Sequence, residues 1–176
     1  YMDIGMDTGD MILKEEVDIG ENETTGELWN RLSKIGGELL VKTLKQIEEG
    51  TATRTKQGED FTVAPMLNKE MAKIDWENKT AIQIKNLVRG LNPIIGAYSF
   101  LNGKKIKFWK VDVLENNNKN KERAGKVILA DAKKGLQIQA NDGIINVLEI
   151  QGENSRKMSI QEFLRGNTIN LLDVFE

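Results

Sequence analysis

The chain has no cysteine and no histidine among its 176 residues. The first absence excludes disulfides, thiol nucleophiles and thiolate metal sites. The second excludes an imidazole base, a Ser-His or Cys-His pair and any histidine-bearing zinc site. Proton transfer within this chain is left to carboxylates, lysine, tyrosine or water. Proline is scarce, at two residues, and aromatics make up 6%. No apolar run approaches the ~18 residues that a membrane span requires, and no signal-peptide core is present. What is there is the composition expected of a soluble globular protein, 39% hydrophobic and 30% charged. The length suits one mid-sized domain or two small ones. The opening Tyr1-Met2-Asp3 carries no initiator methionine and reads as the middle of a structured segment, so a fragment of a longer protein is expected.

The net charge of −2 conceals a segregation. Residues 1–68 carry 7 Lys/Arg against 14 Asp/Glu, residues 69–134 carry 15 against 7, and residues 135–176 carry 3 against 6. A basic middle between acidic ends points to a polyanionic partner if the lysines also cluster in space. If they do not, they are solvated tips on strands and loops.

Along the chain, residues 11–19 read as a strand leaving a tight, glycine-containing loop. Thr24 and Glu27 have the spacing of a capping box, and Leu28, Leu32, Ile35, Leu39, Leu40, Leu44 and Ile47 then recur at helical spacing. Gly50 is placed to end that helix, and Trp29 is expected to pack at the edge of its apolar face. Residues 51–68 lose periodicity and suit an extended linker. A second helix starts at Thr80 with Gln83 three positions on, buries Ile84, Leu87, Val88 and Leu91, and stops at Asn92-Pro93. Asn102-Gly103 predicts a hairpin between strands 97–101 and 104–114, with a bulge near Trp109-Lys110. A polar loop is expected over 116–123. Three further strands follow, at 127–130, 136–139 and 144–150, and then a short helix at 159–164. Five short strands with a terminal helix predict a small, partly open β-barrel of the oligonucleotide-binding-like type.

The chemically dense stretch runs from Met2 to Met11, with three carboxylates and two glycines ahead of the expected strand. A calcium loop fails: counted from Asp3, the obligatory glycine position holds Thr8 and the closing glutamate position holds Lys14. A phosphate-cradling loop fits poorly, because its carboxylates repel the anion and no P-loop lysine follows. Two readings stay open: an acidic structural turn, or a loop that presents one carboxylate to a neighbouring site.

Met2-Asp3-Ile4-Gly5-Met6-Asp7-Thr8-Gly9-Asp10-Met11 resembles the active-site loop of methionyl-tRNA formyltransferases. The resemblance continues through Thr24-Thr25-Gly26-Glu27-Leu28, Ala64-Pro65-Met66-Leu67 with Lys69-Glu70, and Ile74-Asp75-Trp76. It runs on through Arg89-Gly90-Leu91-Asn92-Pro93 to Gly143-Ile144-Ile145-Asn146-Val147-Leu148-Glu149-Ile150-Gln151, and so covers nearly the whole chain in the family's order. It implies an α/β piece, the end of a Rossmann-like formyltransferase domain, at residues 1–50. An interdomain linker at 51–70 and a tRNA-binding barrel at 71–176 follow. The implied reaction transfers a formyl group from 10-formyltetrahydrofolate to the amino group of methionine on initiator tRNA, without a metal. The implied setting is cytoplasmic, away from membranes, with a monomeric full-length protein.

By the same resemblance Asp7 matches the family's catalytic aspartate, while Asp3, Ile4, Gly5 and Met6 line the folate pocket. Asp3 and Asp10 also suit turn-holding roles. The tRNA side is expected to use Lys69, Lys85, Arg89, Lys104, Lys105, Lys107 and Lys110. Lys104 and Lys110 are opposite in strand phase to Lys105 and Lys107, so only part of that set is expected to reach RNA. Two departures stand out. The family's Asn-x-His segment, which lies upstream of the aspartate, is missing, and Ile94-Ile95 stand where an aromatic residue and a second proline are usual. The chain by itself is therefore expected to be inactive. Sugar-nucleotide formyltransferases, formyltetrahydrofolate hydrolases and a stand-alone RNA-binding barrel are the alternatives.

Overall fold

The computed structural model describes residues 1–58, 60–114 and 122–176. The polar loop expected over 116–123 falls for the most part outside them. The chain divides into two units, Tyr1–Glu23 with Glu27–Met66, and Thr24–Gly26 with Leu67–Glu176.

The long helix α1 (Thr25–Glu48), which belongs to the first unit from Glu27 onward, starts directly after Thr24. It ends at Gly50, whose φ of 68° is the left-handed cap that glycine adopts without penalty. The amides of Gly50 and Thr51 fold back onto the carbonyls of Ile47 and Gln46. Arg31 holds the preceding turn: Nε and Nη2 donate to the Glu23 carboxylate at 2.9 and 2.8 Å, and Nη2 also reaches the Asp18 carbonyl. No residue of α1 is buried. Leu32, Leu40, Leu44 and Ile47 are exposed, and Trp29 is 67% exposed rather than packed. The strand expected at 11–19 is not formed. Met11 alone makes an antiparallel bridge, to Thr55. A strand needs a ladder on at least one edge, and no other residue of the segment finds one among the described residues.

The second unit is a mixed α/β arrangement around one antiparallel sheet. Its strands are β1 (Ala97–Leu101), β2 (Lys104–Leu114), β3 (Val127–Asp131), β4 (Gly135–Gln139), β5 (Ile144–Gln151) and the two-residue β6 (Met158–Ser159). The order is β1-β2-β5-β4-β3, with β6 added to β5. Asn102 and Gly103 have φ of 51° and 76°, as a two-residue primed turn demands. The expected bulge lies between Phe108 and Val111. It keeps Phe108 and Val111 both inside while Trp109 and Lys110 face outward.

α2 (Ala81–Gly90) is opened by a complete Thr80–Gln83 capping box and packs chiefly on β2. Asp142, from the β4–β5 turn, adds a bond to the Ala81 amide at 2.6 Å. α3 (Ile160–Gly166) has an equally complete box from Ser159 and Glu162. The core between sheet and helices holds Ile74, Trp76, Ile84, Val88, Phe108, Leu136, Ile145, Ile160 and Phe175.

By strand pairing the sheet is open: β1 and β3 are its outer strands and do not pair with each other. The last residues run between them. Phe100 and Glu176 exchange backbone bonds at 2.9 Å each. The Val127 amide donates to the Asp173 carbonyl, and the Phe175 amide to that of Gly125.

Candidate functional site

The residues singled out in the sequence fall in two places, one in each unit. In the first, the Gln57 side-chain amide holds the acidic loop by donating 2.8 Å bonds to the carbonyls of both Asp7 and Gly9. Gly9 lies so close to the Tyr1 carbonyl that a Cβ there would collide with it. Thr8 Oγ1 donates to the Gly5 carbonyl, and Asp3 Oδ1 accepts from the Ile4 amide at 2.8 Å. Asp3 therefore holds a turn. Asp7 sits at φ 57°, left-handed backbone that aspartate tolerates better than most residues. Its carboxylate is exposed and makes no bond among the described residues. Ile4 and Met6 are also fully or almost fully exposed. The loop thus presents the Asp7 carboxylate to solvent, preceded by the exposed apolar side chains of Ile4 and Met6. Among the described residues no cluster of acidic groups could hold a metal ion.

In the second unit the β1–β2 hairpin segregates by phase. Ala97, Ser99, Leu101, Ile106 and Phe108 enter the core. Tyr98 pairs across the ladder with Lys107, and Phe100 with Lys105, on the outer face. There the Lys105 ammonium stands 3.5 Å from the Tyr98 ring centroid and that of Lys73 5.7 Å from Phe100. Lys107 and Lys157 stand 5.5 and 5.8 Å from the Trp109 ring. The Trp109 indole N–H donates to Gln151 Oε1 at 2.9 Å, and the ring lies against Gly96, where a Cβ would meet it at 2.8 Å. Cations interleaved with ring faces form a surface suited to nucleic acid.

The expected basic residues divide on this geometry. Lys69, Lys105 and Lys107 line one groove of about 440 Å³. Lys104 and Lys110 are exposed, at the hairpin tip and within the bulge. The strand-phase objection to Lys110 falls, because the bulge resets the alternation. Arg89 is half-buried and donates through Nε to Asn86 Oδ1. Lys85 is a correction. It is 8% exposed, and its ammonium lies 3.2 Å from Asp112 Oδ1, so it anchors α2 to β2 instead of facing a phosphate. Lys73, Tyr98, Phe100, Trp109 and Lys157 also stand in these cation–ring contacts, beyond the residues expected from the sequence. The signal was there in the in-phase runs Tyr98-x-Phe100 and Lys105-x-Lys107-x-Trp109.

Local bonds favour the ionised form of Glu16, through the Lys14 ammonium, and of two aspartates. Asp75 lies below the ordinary aspartate range because the Asn78 side chain and then its backbone N–H donate to it. Asp131 is lowered by the amides of Lys134 and Lys133. Both bonds belong to turns and not to a reactive site. No helix of the described residues is long and apolar enough to cross a membrane.

Known proteins resemble this chain along most of its length. A methionyl-tRNA formyltransferase of Clostridioides difficile (strain 630) is 44% identical over 170 residues, covering 96% of this chain and 54% of that protein. One from Ruminiclostridium cellulolyticum is 38% identical over 171 residues, covering 97% and 54%. The chain thus spans about half the length of the curated relatives it matches. Among solved structures, a variant of HypX from Aquifex aeolicus superposes with a TM-score of 0.68 at 21% identity, over 96% of this chain and 30% of that one. A HypX structure in complex with tetrahydrofolic acid reaches 0.55 at 23% identity, over 72% and 22%. At these identities HypX speaks for the fold alone. The family model described as formyl transferase, C-terminal domain, matches residues 66–168, the open sheet with its two capped helices, and the chain belongs to that family.

Proposed function

We propose that the chain works within a methionyl-tRNA formyltransferase, with residues 71–176 holding the tRNA. The acidic loop in residues 1–50 supplies the catalytic carboxylate, and residues 51–70 form the link. The observation that carries this reading is the identity of about 40% with curated methionyl-tRNA formyltransferases along nearly the whole chain. The outer face of β1–β2 supplies the physical support, since its lysines stand among rings.

On this reading Asp7 takes or relays the proton lost as the methionyl amine attacks the formyl carbon. Asp3, Ile4, Gly5 and Met6 line the folate side, through main-chain groups as much as side chains. The co-substrate is 10-formyltetrahydrofolate, which supplies the one-carbon group. The chain contains no histidine to act as partner acid, so Asp7 by itself is not expected to turn substrate over. The sheet, with its C-terminal residues bridging β1 and β3, serves as the oligonucleotide-binding-like barrel of the enzyme. The same reading places the full-length protein in the cytoplasm as a monomer.

The test is titration of the 176-residue chain with initiator tRNA at several salt concentrations. Neutralising about three to five phosphates gives a log–log slope of roughly −2 to −4. A flat response would reject the tRNA role of this face.

A further inference from the structure

The groove beside β1–β2 has a makeup that phosphate contact alone does not call for. Lys69, Lys105 and Lys107 converge on it, and no carboxylate contributes to its lining. The Lys69 ammonium has no ion pair or hydrogen bond among the described residues, although its carbonyl accepts from the Ala72 amide. Lys107 is tethered to the Ile95 carbonyl at 2.8 Å, which fixes its ammonium at the groove wall. Cations without an ion pair among the described residues, gathered in a concavity, attract an anion more strongly than the same charges on a flat surface.

The rest of the groove is apolar and aromatic. Leu67, Ile94 and Ile95 line it beside Tyr98, and Ile94 is 56% exposed. The Lys105 ammonium lies over the half-buried Tyr98 ring at 3.5 Å from its centroid, a cation–π contact that a base could replace. The Phe100 ring, its centroid 5.7 Å from that of Tyr98 and its plane at 88°, packs against it in a T-shaped contact. The volume of about 440 Å³ lies within the range of small-ligand pockets. A double helix presents phosphates but hides the faces of its bases, so it would leave the ring and the aliphatic wall unused.

We infer that this groove is a binding site for one unpaired nucleotide of RNA. Its base stacks on Tyr98 against the Ile94–Ile95 wall, and its phosphate is held by Lys69, Lys105 and Lys107. Lys105 covers the ring in the free protein and moves to the phosphate when a base takes its place. The inference rests on the RNA-binding role proposed above and adds a stacking component to it. Stacking on an aromatic is tolerant of base identity, so the site reads whether a nucleotide is unpaired and not which base it carries.

The experiment titrates the 176-residue chain with two RNA hairpins, one with a single bulged 2-aminopurine and one with the same base paired in an uninterrupted stem. The bulged hairpin is expected to bind about tenfold more tightly, with its fluorescence quenched on binding. Tyr98→Leu should abolish both the preference and the quenching, whereas Tyr98→Phe keeps both. Lys69→Gln should weaken both hairpins alike. Equal affinity of the unaltered chain for the two hairpins, or a preference that survives Tyr98→Leu, overturns the stacking site while leaving phosphate binding intact. Failure to bind either hairpin overturns the RNA-binding role as well.

Discussion

The Trp76 indole N–H donates to Ser99 Oγ at 2.9 Å, and Ser99 Oγ in turn donates to the Glu176 main-chain oxygen at 2.8 Å. Trp76 is 3% exposed and Ser99 is fully buried, so the chain of bonds lies inside the core. It ties the segment ahead of α2 to β1 and to the C-terminal residues. The Trp76 ring also meets Phe108 edge-on at 5.8 Å and Phe175 at 6.1 Å.

Ser99→Ala leaves the buried indole N–H without an acceptor, which costs about 1–3 kcal/mol. The Glu176 oxygen loses less, because it still accepts from the Phe100 amide. Urea unfolding should show a lower midpoint at unchanged slope. The double variant Trp76→Phe/Ser99→Ala should be destabilised by less than the sum of the single variants, since phenylalanine has no N–H to orphan. Strict additivity would mean that the bond contributes nothing.

Lys85 and Lys105 should behave as opposites. Lys105→Gln removes a cation from the outer face and should make the salt slope of tRNA binding shallower by about one unit. Lys85→Met should leave both slope and affinity unchanged, because that ammonium is turned to Asp112. Its effect should show in stability instead, as the loss of a partly buried ion pair. A change in RNA affinity for Lys85→Met, with the fold intact, would return the residue to the tRNA-facing set.

What could be read in the sequence was what local chemistry determines. Thr80 with Gln83, Asn102-Gly103 and Gly50 each specify their geometry within a few residues, and each sits as expected. The placement of Lys85 could not be read, because its partner Asp112 lies on another element and burial is a property of the pair. Trp29 and residues 11–19 were misjudged for a related reason. An apolar face or an extended run predicts packing or pairing only if something covers it, and no residue of α1 is buried. The acidic loop was legible as composition but not as geometry: that Gln57 would clasp Asp7 and Gly9 depends on a contact across some 50 positions.

The Asp75 turn predicts an acid sensitivity of definite sign. Its carboxylate accepts from the Asn78 side chain and amide, and its folded value lies below the unfolded one. The stabilisation is then fully present above the ordinary aspartate range and is lost as pH falls through the lower folded value. Asn78→Ala removes the main cause, so the variant should lose less stability than the parent between pH 5 and pH ~2, compared by urea midpoints. Other carboxylates contribute equally to both proteins and cancel. Parallel pH profiles would show that the bonds do not favour the ionised form.

Asp7→Asn separates chemistry from shape at the acidic loop. Asparagine is the other residue that tolerates the left-handed conformation observed at φ 57°, so the backbone and its clasp by Gln57 should persist. What the amide cannot do is take up a proton or stabilise a neighbouring cation. In a protein of the relatives' full length, kcat for formylation of methionyl-tRNA should fall by well over tenfold, a barrier increase beyond about 1.4 kcal/mol. The dissociation constant for tRNA should move little, because the lysines assigned to it lie on the second unit. Asp7→Gly serves as the backbone control, since glycine adopts the same φ freely and also lacks the carboxylate. Both variants should be similarly impaired. If Asp7→Asn retained more than a tenth of kcat while Asp7→Gly collapsed, the residue would be a turn-former, and the catalytic assignment would have to pass to another group.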